Sequence, residues 1–154
     1  MAEVVEKTYS VEYTLSANLA ARSVTACNIR PDPAKSAVSV LQVPKGQKLI
    51  IVDVWIDSAP TTDVQAIFYK NRDERVLITD PMSGLIGTNP AKPKYAPLEF
   101  DEMETLNIDV INLAAVGSSA ESDTFYIKVH EVKKEATVGG DTLGKLLGSL
   151  KIGK

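Results

Sequence analysis

The possible folds of this chain are most constrained by residues 43–57, VPKGQKLIIVDVWID, a strongly apolar stretch that holds the only tryptophan. β-Branched and aromatic side chains dominate between Leu49 and Ile56, and such residues favour a pleated, half-buried strand. A PKG turn precedes the apolar run and an Ala-Pro dipeptide follows it, and both stop a strand. We therefore predict that this stretch is the central strand of a β-sandwich.

The alternation within this strand predicts which side faces the core, because successive side chains point to opposite faces. One face is wholly apolar, and we expect it to point inward. It consists of Ile50, Val52, Val54 and Ile56. The other face begins apolar at Leu49 and ends acidic at Asp57. We expect its later part to reach water or a neighbouring subunit.

Other segments show the same strand-like patterns. Apolar and polar residues alternate cleanly in residues 8–15, 104–112 and 124–132, which is typical of antiparallel strands with one solvated face. Shorter or less regular strands are predicted at residues 19–29, 38–43, 64–70 and 75–79, with a hairpin turn at 71–74. About eight short strands, with no convincing helix before residue 135, predict an all-β fold. We expect an antiparallel β-sandwich of the jelly-roll type.

The composition changes near residue 135, so we predict a β-sandwich domain at residues 1–135 and a separate tail at 136–154. The sequence TVGG is typical of a flexible linker, and the leucines after it form one stripe of an amphipathic helix. An isolated helix of this length is marginal in water, so we expect the tail to fold on a partner. That partner is a groove on another subunit, another protein or a membrane surface. Packing on the chain's own sandwich is the alternative.

Residues 80–97 form a long segment with four prolines and two glycines, and segments of this kind are usually functional or mobile. Leu85 and Ile86 lie in its middle. They either tuck back onto the sandwich or dock onto a neighbouring subunit. The predicted partner-binding residues therefore belong to this loop and to the tail. They are Leu85, Ile86, Leu143, Leu146, Leu147, Leu150 and Ile152.

Composition narrows the class of protein. The length of 154 residues suits one domain, and the net charge of −3 gives no global bias toward nucleic acid. The first ten residues lack the apolar core of a signal peptide, and no run is long enough to be a transmembrane segment. We expect a cytoplasmic protein or a component of a virion.

The residues that could support chemistry are few. His130 is the only histidine and Cys27 the only cysteine, and no nucleophile or phosphate-binding motif accompanies either. We expect His130 to be a solvated surface residue and Cys27 a small buried one. Acidic residues cluster at 101–104, and Asp53 and Asp57 share a strand face, but their spacing matches no EF-hand. We therefore predict no enzyme, no metal site and no cofactor.

The overall plan resembles small all-β virion proteins, either jelly-roll capsid subunits or head-decoration proteins. The resemblance covers about residues 8–133 and is carried by VPKGQKLIIVDVWIDS, LEFDEMETLNIDVINL and SDTFYIKVHEV. The tail separately resembles the cargo-loading peptides of encapsulin shells, through LGSLKIG at residues 147–153. These resemblances imply a structural protein that assembles with itself, or one that docks in a larger protein shell.

Two function classes follow from the sequence. The favoured one is a self-assembling structural subunit of a virion, with residues 80–97 and the tail making contacts between subunits. The alternative is a carbohydrate-binding sandwich in which Trp55 or the Tyr95 region stacks on a sugar, with acidic residues on its hydroxyl groups or on calcium.

Overall fold

The computed structural model describes residues 3–87 and 94–134, which form ten β-strands and one short 3-10 turn. The strands are β1 (Glu3–Leu15), β2 (Val24–Ala26), β3 (Asn28–Arg30), β4 (Leu41–Gln42), β5 (Gln47–Trp55), β6 (Val64–Lys70), β7 (Glu74–Ile78), β8 (Leu98–Phe100), β9 (Thr105–Asn112) and β10 (Glu121–Lys133). The 3-10 turn, Met82–Gly84, lies between β7 and β8. Within the described residues, no helix is long and apolar enough to cross a membrane.

The strands form two antiparallel sheets. Sheet A has the order β3-β1-β10-β5-β8, and sheet B has the order β2-β9-β6-β7 with β4 also paired to β9. Without the short strands β3 and β4, the chain places β1-β10-β5-β8 in one sheet and β2-β9-β6-β7 in the other. The first strand thus pairs with the last, and the chain passes back and forth between sheets. This is the arrangement of a jelly roll, so the predicted fold class is confirmed.

The core lies between the sheets and is built by alternate residues of the long strands. β1 contributes Tyr9, Val11, Tyr13 and Leu15, all at most 3% exposed. The inward residues of β9 and β10 were also predicted correctly. They are Leu106, Ile108, Val110, Phe125, Ile127 and Val129. Strand β1 pairs with β10 from Glu3 opposite Lys133 to Leu15 opposite Glu121, so both strands are longer than their alternating segments.

The predicted inner face of β5 is half wrong, because a β-bulge reverses its alternation. Val129 of β10 lies opposite Ile51, whereas the preceding Lys128 lies opposite Asp53. Val52 is therefore the additional residue on β5. Before the bulge the core residues are Leu49 and Ile51, and after it they are Val54 and Ile56. Ile50 and Val52, which were expected to be buried, are half-exposed.

Smaller differences concern the connections between the long strands. The segment predicted as one strand at 19–29 is divided into β2 and β3, which belong to different sheets. The segment at 38–43 gives only the two-residue β4 and an isolated bridge between Val38 and Ile29. The short strand β8 was not predicted. The tail at 136–154 lies outside the described residues, so its division from the sandwich remains a prediction.

Candidate binding surfaces

The outer face of sheet B carries apolar side chains where an outer sheet face is usually polar. Residues 64, 66 and 68 of β6 and residues 106, 108 and 110 of β9 are buried in the core, so the residues between them point outward. Strand pairing extends this outward set across the sheet, with Val24 opposite Ile111 and Ile67 opposite Ile78. We call this set the apolar face. It consists of Val24, Ala26, Ile67, Ile78 and Ile111.

The residues of the apolar face differ in exposure. Val24 and Ile78, on the outer strands β2 and β7, are 56% and 45% exposed. Ile67 and Ile111, on the middle strands β6 and β9, are only 3% and 8% exposed, although they point away from the core. The two middle residues are thus covered, although neither belongs to the core cluster. Two exposed aliphatic side chains border this covered centre.

One carboxylate lies within the apolar face. Asp109 of β9 is directly opposite Ala26 on one side and Ile67 on the other, and neither carries a charge. Burial among these neighbours raises the pKa of Asp109 above its ordinary value. The negative charge of this residue is therefore only partly solvated.

The outer face of sheet A is different, because charged side chains pair across its strands. Arg30 of β3 binds the carboxylate of Glu12 on β1, with the Nε to Oε2 distance at 2.8 Å. Lys48 of β5 lies 2.9 Å from Glu99 of β8. Each pair joins adjacent strands. This face is adapted to water, as expected for one side of an antiparallel sheet.

Two aromatic residues interrupt this charged surface. Trp55 of β5 lies directly opposite Tyr126 of β10, and their rings stack with centroids 5.7 Å apart and an interplanar angle of 27°. Thr8 and Asp57 join the two rings around a shallow surface depression. We call these four residues the aromatic platform. The prediction that Trp55 lies on an outward, partly exposed face agrees with this arrangement.

Tyr95 occupies a different environment. Its ring packs against the hydrophobic core, and its hydroxyl oxygen accepts the backbone N–H of Asp80 at 2.7 Å. The neighbouring Lys94 pairs with the Asp80 carboxylate at 2.6 Å. These contacts fix the end of the 80–97 segment against the sandwich. Of the two aromatic regions proposed from the sequence, only the one around Trp55 presents stacked rings at the surface.

A cavity of about 150 Å³ opens at one end of the sandwich, between the inner face of sheet A and the segment around β4. Tyr9 and Glu131 lie on its sheet A side, where the Tyr9 hydroxyl donates a hydrogen bond to the Glu131 carboxylate. Leu41 and Val43 line the opposite side. Nothing in the sequence patterns pointed to this cavity, because its lining comes from five separate segments.

The two predicted contact residues of the loop have different surroundings. Leu85 is 1% exposed and belongs to the hydrophobic core, so its side chain tucks back onto the sandwich. Ile86 is 47% exposed. The loop backbone is held to Ile56, whose N–H donates to the Leu85 carbonyl and whose carbonyl accepts the N–H of Gly87, both at 3.1 Å. Ile86 is thus an exposed apolar residue on a fixed backbone.

The other predicted partner-binding residues lie in the tail. Leu143, Leu146, Leu147, Leu150 and Ile152 are outside the described residues. Their contacts with a partner remain a prediction from the sequence.

The remaining residues to place are those considered for catalysis or metal binding, namely Cys27, His130 and the acidic residues at 101–104. Cys27 is 1% exposed, as predicted, and burial raises the pKa of its thiol. His130 lies on the outer side of sheet A with Nε2 3.3 Å from Glu6. Among the acidic residues at 101–104, Glu102 pairs with Lys134 at 3.1 Å. Within residues 3–87 and 94–134, no three possible ligand residues are grouped so that they could hold a metal ion.

Sequence reasoning missed the apolar face, although a signal for it exists. Consecutive apolar residues, AIF at 66–68 and VI at 110–111, break the strict alternation expected of a strand with one solvated face. Such runs are typical of strands that are covered on both sides. Comparisons with known proteins add no assignment: no family model matches the chain, and no curated protein matches its sequence.

Proposed function

We propose that this protein is a structural subunit that assembles with copies of itself, as virion capsid and head-decoration proteins do. The observation that carries the proposal is the apolar face of sheet B. Exposed Val24 and Ile78 lie on the two outer strands, on either side of the covered Ile67 and Ile111, so each of the four main strands carries an aliphatic side chain on this face. Apolar side chains grouped on the outer face of a folded domain are a feature of protein interfaces, and Val24 and Ile78 are the members of this group that a partner would cover.

The fold supports this proposal only indirectly, because jelly rolls serve many unrelated functions. The fold places the apolar face on the outer side of one layer of the sandwich, where its side chains point away from the core. A second copy related by a two-fold axis would place the same face against itself, which is the commonest arrangement in homo-oligomers. Burying Val24 and Ile78 in such a contact would remove their aliphatic surface from water, at a gain of about 25 cal/mol per Å².

Two further contacts belong to the proposal. Ile86, exposed on a backbone that is fixed to Ile56, is suited to a second contact with a neighbouring subunit. The leucine stripe of the tail is the third, and it rests on the sequence alone. Three separate contacts per subunit would allow a closed shell or a lattice rather than a simple dimer.

The test is the solution mass of the full-length protein, measured by light scattering over a range of concentrations. We expect a defined oligomer, and we expect Ile78→Asp to shift it toward the monomer, because a charge would be placed in the contact. Thr8→Asp, at an exposed outward position of sheet A, is the matched control and should leave the mass unchanged. Leu147→Asp tests the tail in the same assay. A protein that stays monomeric at high concentration, without any partner shell, would contradict the proposal.

A second candidate function is carbohydrate binding at the aromatic platform. The specific observation is the stacked pair of Trp55 and Tyr126, with a hydroxyl and a carboxylate beside it at Thr8 and Asp57. Aromatic faces combine apolar contact with a polar rim, which suits the faces and hydroxyl groups of sugars. Because Trp55 is the only tryptophan, its fluorescence reports directly on ligands that stack there. A glycan array and a fluorescence titration, each with and without calcium, should then give a signal that Trp55→Ala removes. Absence of binding in both assays would count against this function.

The third possibility, docking in a protein shell as cargo, depends on the tail sequence. Residues 147–153 lie outside the described part of the chain, so this possibility remains a prediction from the sequence.

A further inference from the structure

The cavity at the end of the sandwich has mostly apolar walls. The ring of Tyr9 and the side chain of Leu49 belong to sheet A, and both residues are 3% exposed. Leu41, Val43 and two prolines complete the apolar part of the lining, and the polar part consists of Gln42, Gln47, Lys48 and Glu131. Water is poorly held against the apolar part of these walls, because a buried water molecule needs two to four polar partners. An aliphatic or aromatic group therefore fits the cavity better than water does.

The volume limits what can enter. The cavity measures about 150 Å³ and is open to solvent on one side. Apolar cavities of roughly this size accommodate a benzene-sized molecule. A single ring therefore fits, whereas a fused ring system or a long acyl chain would have to extend into solvent.

One end of the cavity is polar. Glu131 points inward from β10, accepts the Tyr9 hydroxyl hydrogen on Oε2, and lies 3.2 Å from the Lys7 ammonium through Oε1. A carboxylate has about four lone-pair sites, so it can accept a further hydrogen bond from a ligand. Lys7 already compensates the charge of Glu131, and the ligand needs no charge of its own. Burial and the nearby Glu131 raise the pKa of Tyr9, so the hydroxyl remains a donor to Glu131 and does not compete as an anion.

We propose that this cavity is a binding site for a small neutral ring compound that carries one hydroxyl donor, of the phenol class. The ring packs on Leu41, Val43 and Leu49, and the hydroxyl donates to Glu131. The site is independent of the apolar face and of the aromatic platform. It would give the protein a small-molecule ligand in addition to any protein partner.

Phenol and benzene are the probes that test the site, with binding followed by the methyl NMR signals of Leu41, Val43 and Leu49 in the full-length protein. We expect saturable shifts with phenol at a dissociation constant of about 1 mM, a reasonable affinity for a ligand of this size. Benzene should bind about fivefold more weakly, since it lacks the donor to Glu131. No saturation at tens of millimolar phenol would overturn the proposal.

Two variants and one control assign the binding to the cavity. Leu41→Phe fills the space and should weaken both probes at least about tenfold. The double variant Tyr9→Phe/Glu131→Leu removes the hydrogen-bonded pair together, and the Lys7 ammonium that it releases is on a side chain 46% exposed to solvent. It should make phenol and benzene bind equally. Trp55→Ala removes the other surface on which a ring could stack, and should change neither affinity. Loss of phenol binding in Trp55→Ala, with retention in Leu41→Phe, would place the ligand on the aromatic platform and overturn the proposal.

Discussion

The outer faces of the two sheets show how one fold presents two different surfaces. On sheet A, charged residues are paired across neighbouring strands, as Arg30 with Glu12 and Lys48 with Glu99. On sheet B, the row that contains Asp109 has no such partner, because this carboxylate lies between the uncharged Ala26 and Ile67. The inner faces of the two sheets are equally apolar, because together they form the core.

This difference separates the residues that specify the fold from those that are free to specify a surface. The inward residues of both sheets satisfy the same requirement, namely dense apolar packing between two layers. The outward residues are free of that requirement, so their chemistry reflects their surroundings in the working protein. An outer face with paired charges suits contact with water, and the aliphatic residues of sheet B are the observation on which the proposed contact with another protein rests.

The largest effect is expected at the covered centre of the apolar face. Ile67 is 3% exposed, so Ile67→Ala should lower the free energy of unfolding by about 2–4 kcal/mol, the cost of removing a buried isoleucine side chain. Thr8→Ala, at an exposed outward position of sheet A, should change it by less than about 0.5 kcal/mol. Urea denaturation at low protein concentration measures both.

The dependence on protein concentration sharpens this comparison. If the apolar face is covered by a second copy, the cost of Ile67→Ala will grow as the concentration is raised. Equal costs for the two variants would mean that the faces do not differ energetically, and the contrast between the sheets would fail.

The long strands could be predicted from the sequence because their alternation is regular. In β9 and in the middle of β10 every second residue is apolar and faces the core, so period two alone identifies the inner face. In β5 the same reasoning identifies the wrong inner residues before the bulge. Val52 is an additional residue there, so the core-facing side chains change from odd to even positions along the strand. Bulges depend on pairing with a distant strand, here at Lys128 and Val129 of β10, and no local pattern reveals them. The strand β8 was missed for a related reason: its three residues are too few to show a period.

An intermediate effect is expected on sheet A, at the aromatic platform. Trp55 and Tyr126 are partly exposed, so the quantity of interest is the free energy of the contact between their rings and not the free energy of their burial. A double-mutant cycle with Trp55→Ala and Tyr126→Ala should give a coupling energy of about 1 kcal/mol, typical of a stacked aromatic pair. Urea denaturation of the four proteins provides the measurement. A coupling near zero would mean that the rings are neighbours without mutual stabilisation.

The candidate sites were less predictable than the fold. Trp55 could be placed on an outward face from its position in β5, but the sequence did not reveal that Leu85 is buried while Ile86 is exposed. The cavity could not, because Tyr9, Val43 and Glu131 lie far apart in the chain and meet only when the sheets close. The apolar face combines residues of four strands, and its identification requires the pairing of Ile67 with Ile78 and of Val24 with Ile111.

The smallest effect is expected for the carboxylate of the apolar face. Burial raises the pKa of Asp109, so near this pKa the folded protein binds more protons than the unfolded chain does. Stability should therefore rise as the pH falls through the raised pKa toward the ordinary aspartate value of about 4. Asp109→Asn removes the buried charge, and should stabilise the protein at pH 7 by less than about 1 kcal/mol, since Asp109 is partly solvated.

The pH profile must separate Asp109 from a second carboxylate. Asp123 on β10 has its pKa raised to about 6 by burial and by the hydrogen bond and charge of Glu121, so it contributes in the same direction. The informative quantity is the difference in unfolding free energy between the parent and Asp109→Asn at each pH, since Asp123 is common to both. We expect this difference to favour the variant at pH 7 and to vanish near pH 4. In an assembled protein the difference should be larger, because a second copy would exclude the water that now solvates Asp109. A difference independent of both pH and concentration would show that the carboxylate is solvated as on sheet A, and that no partner covers it.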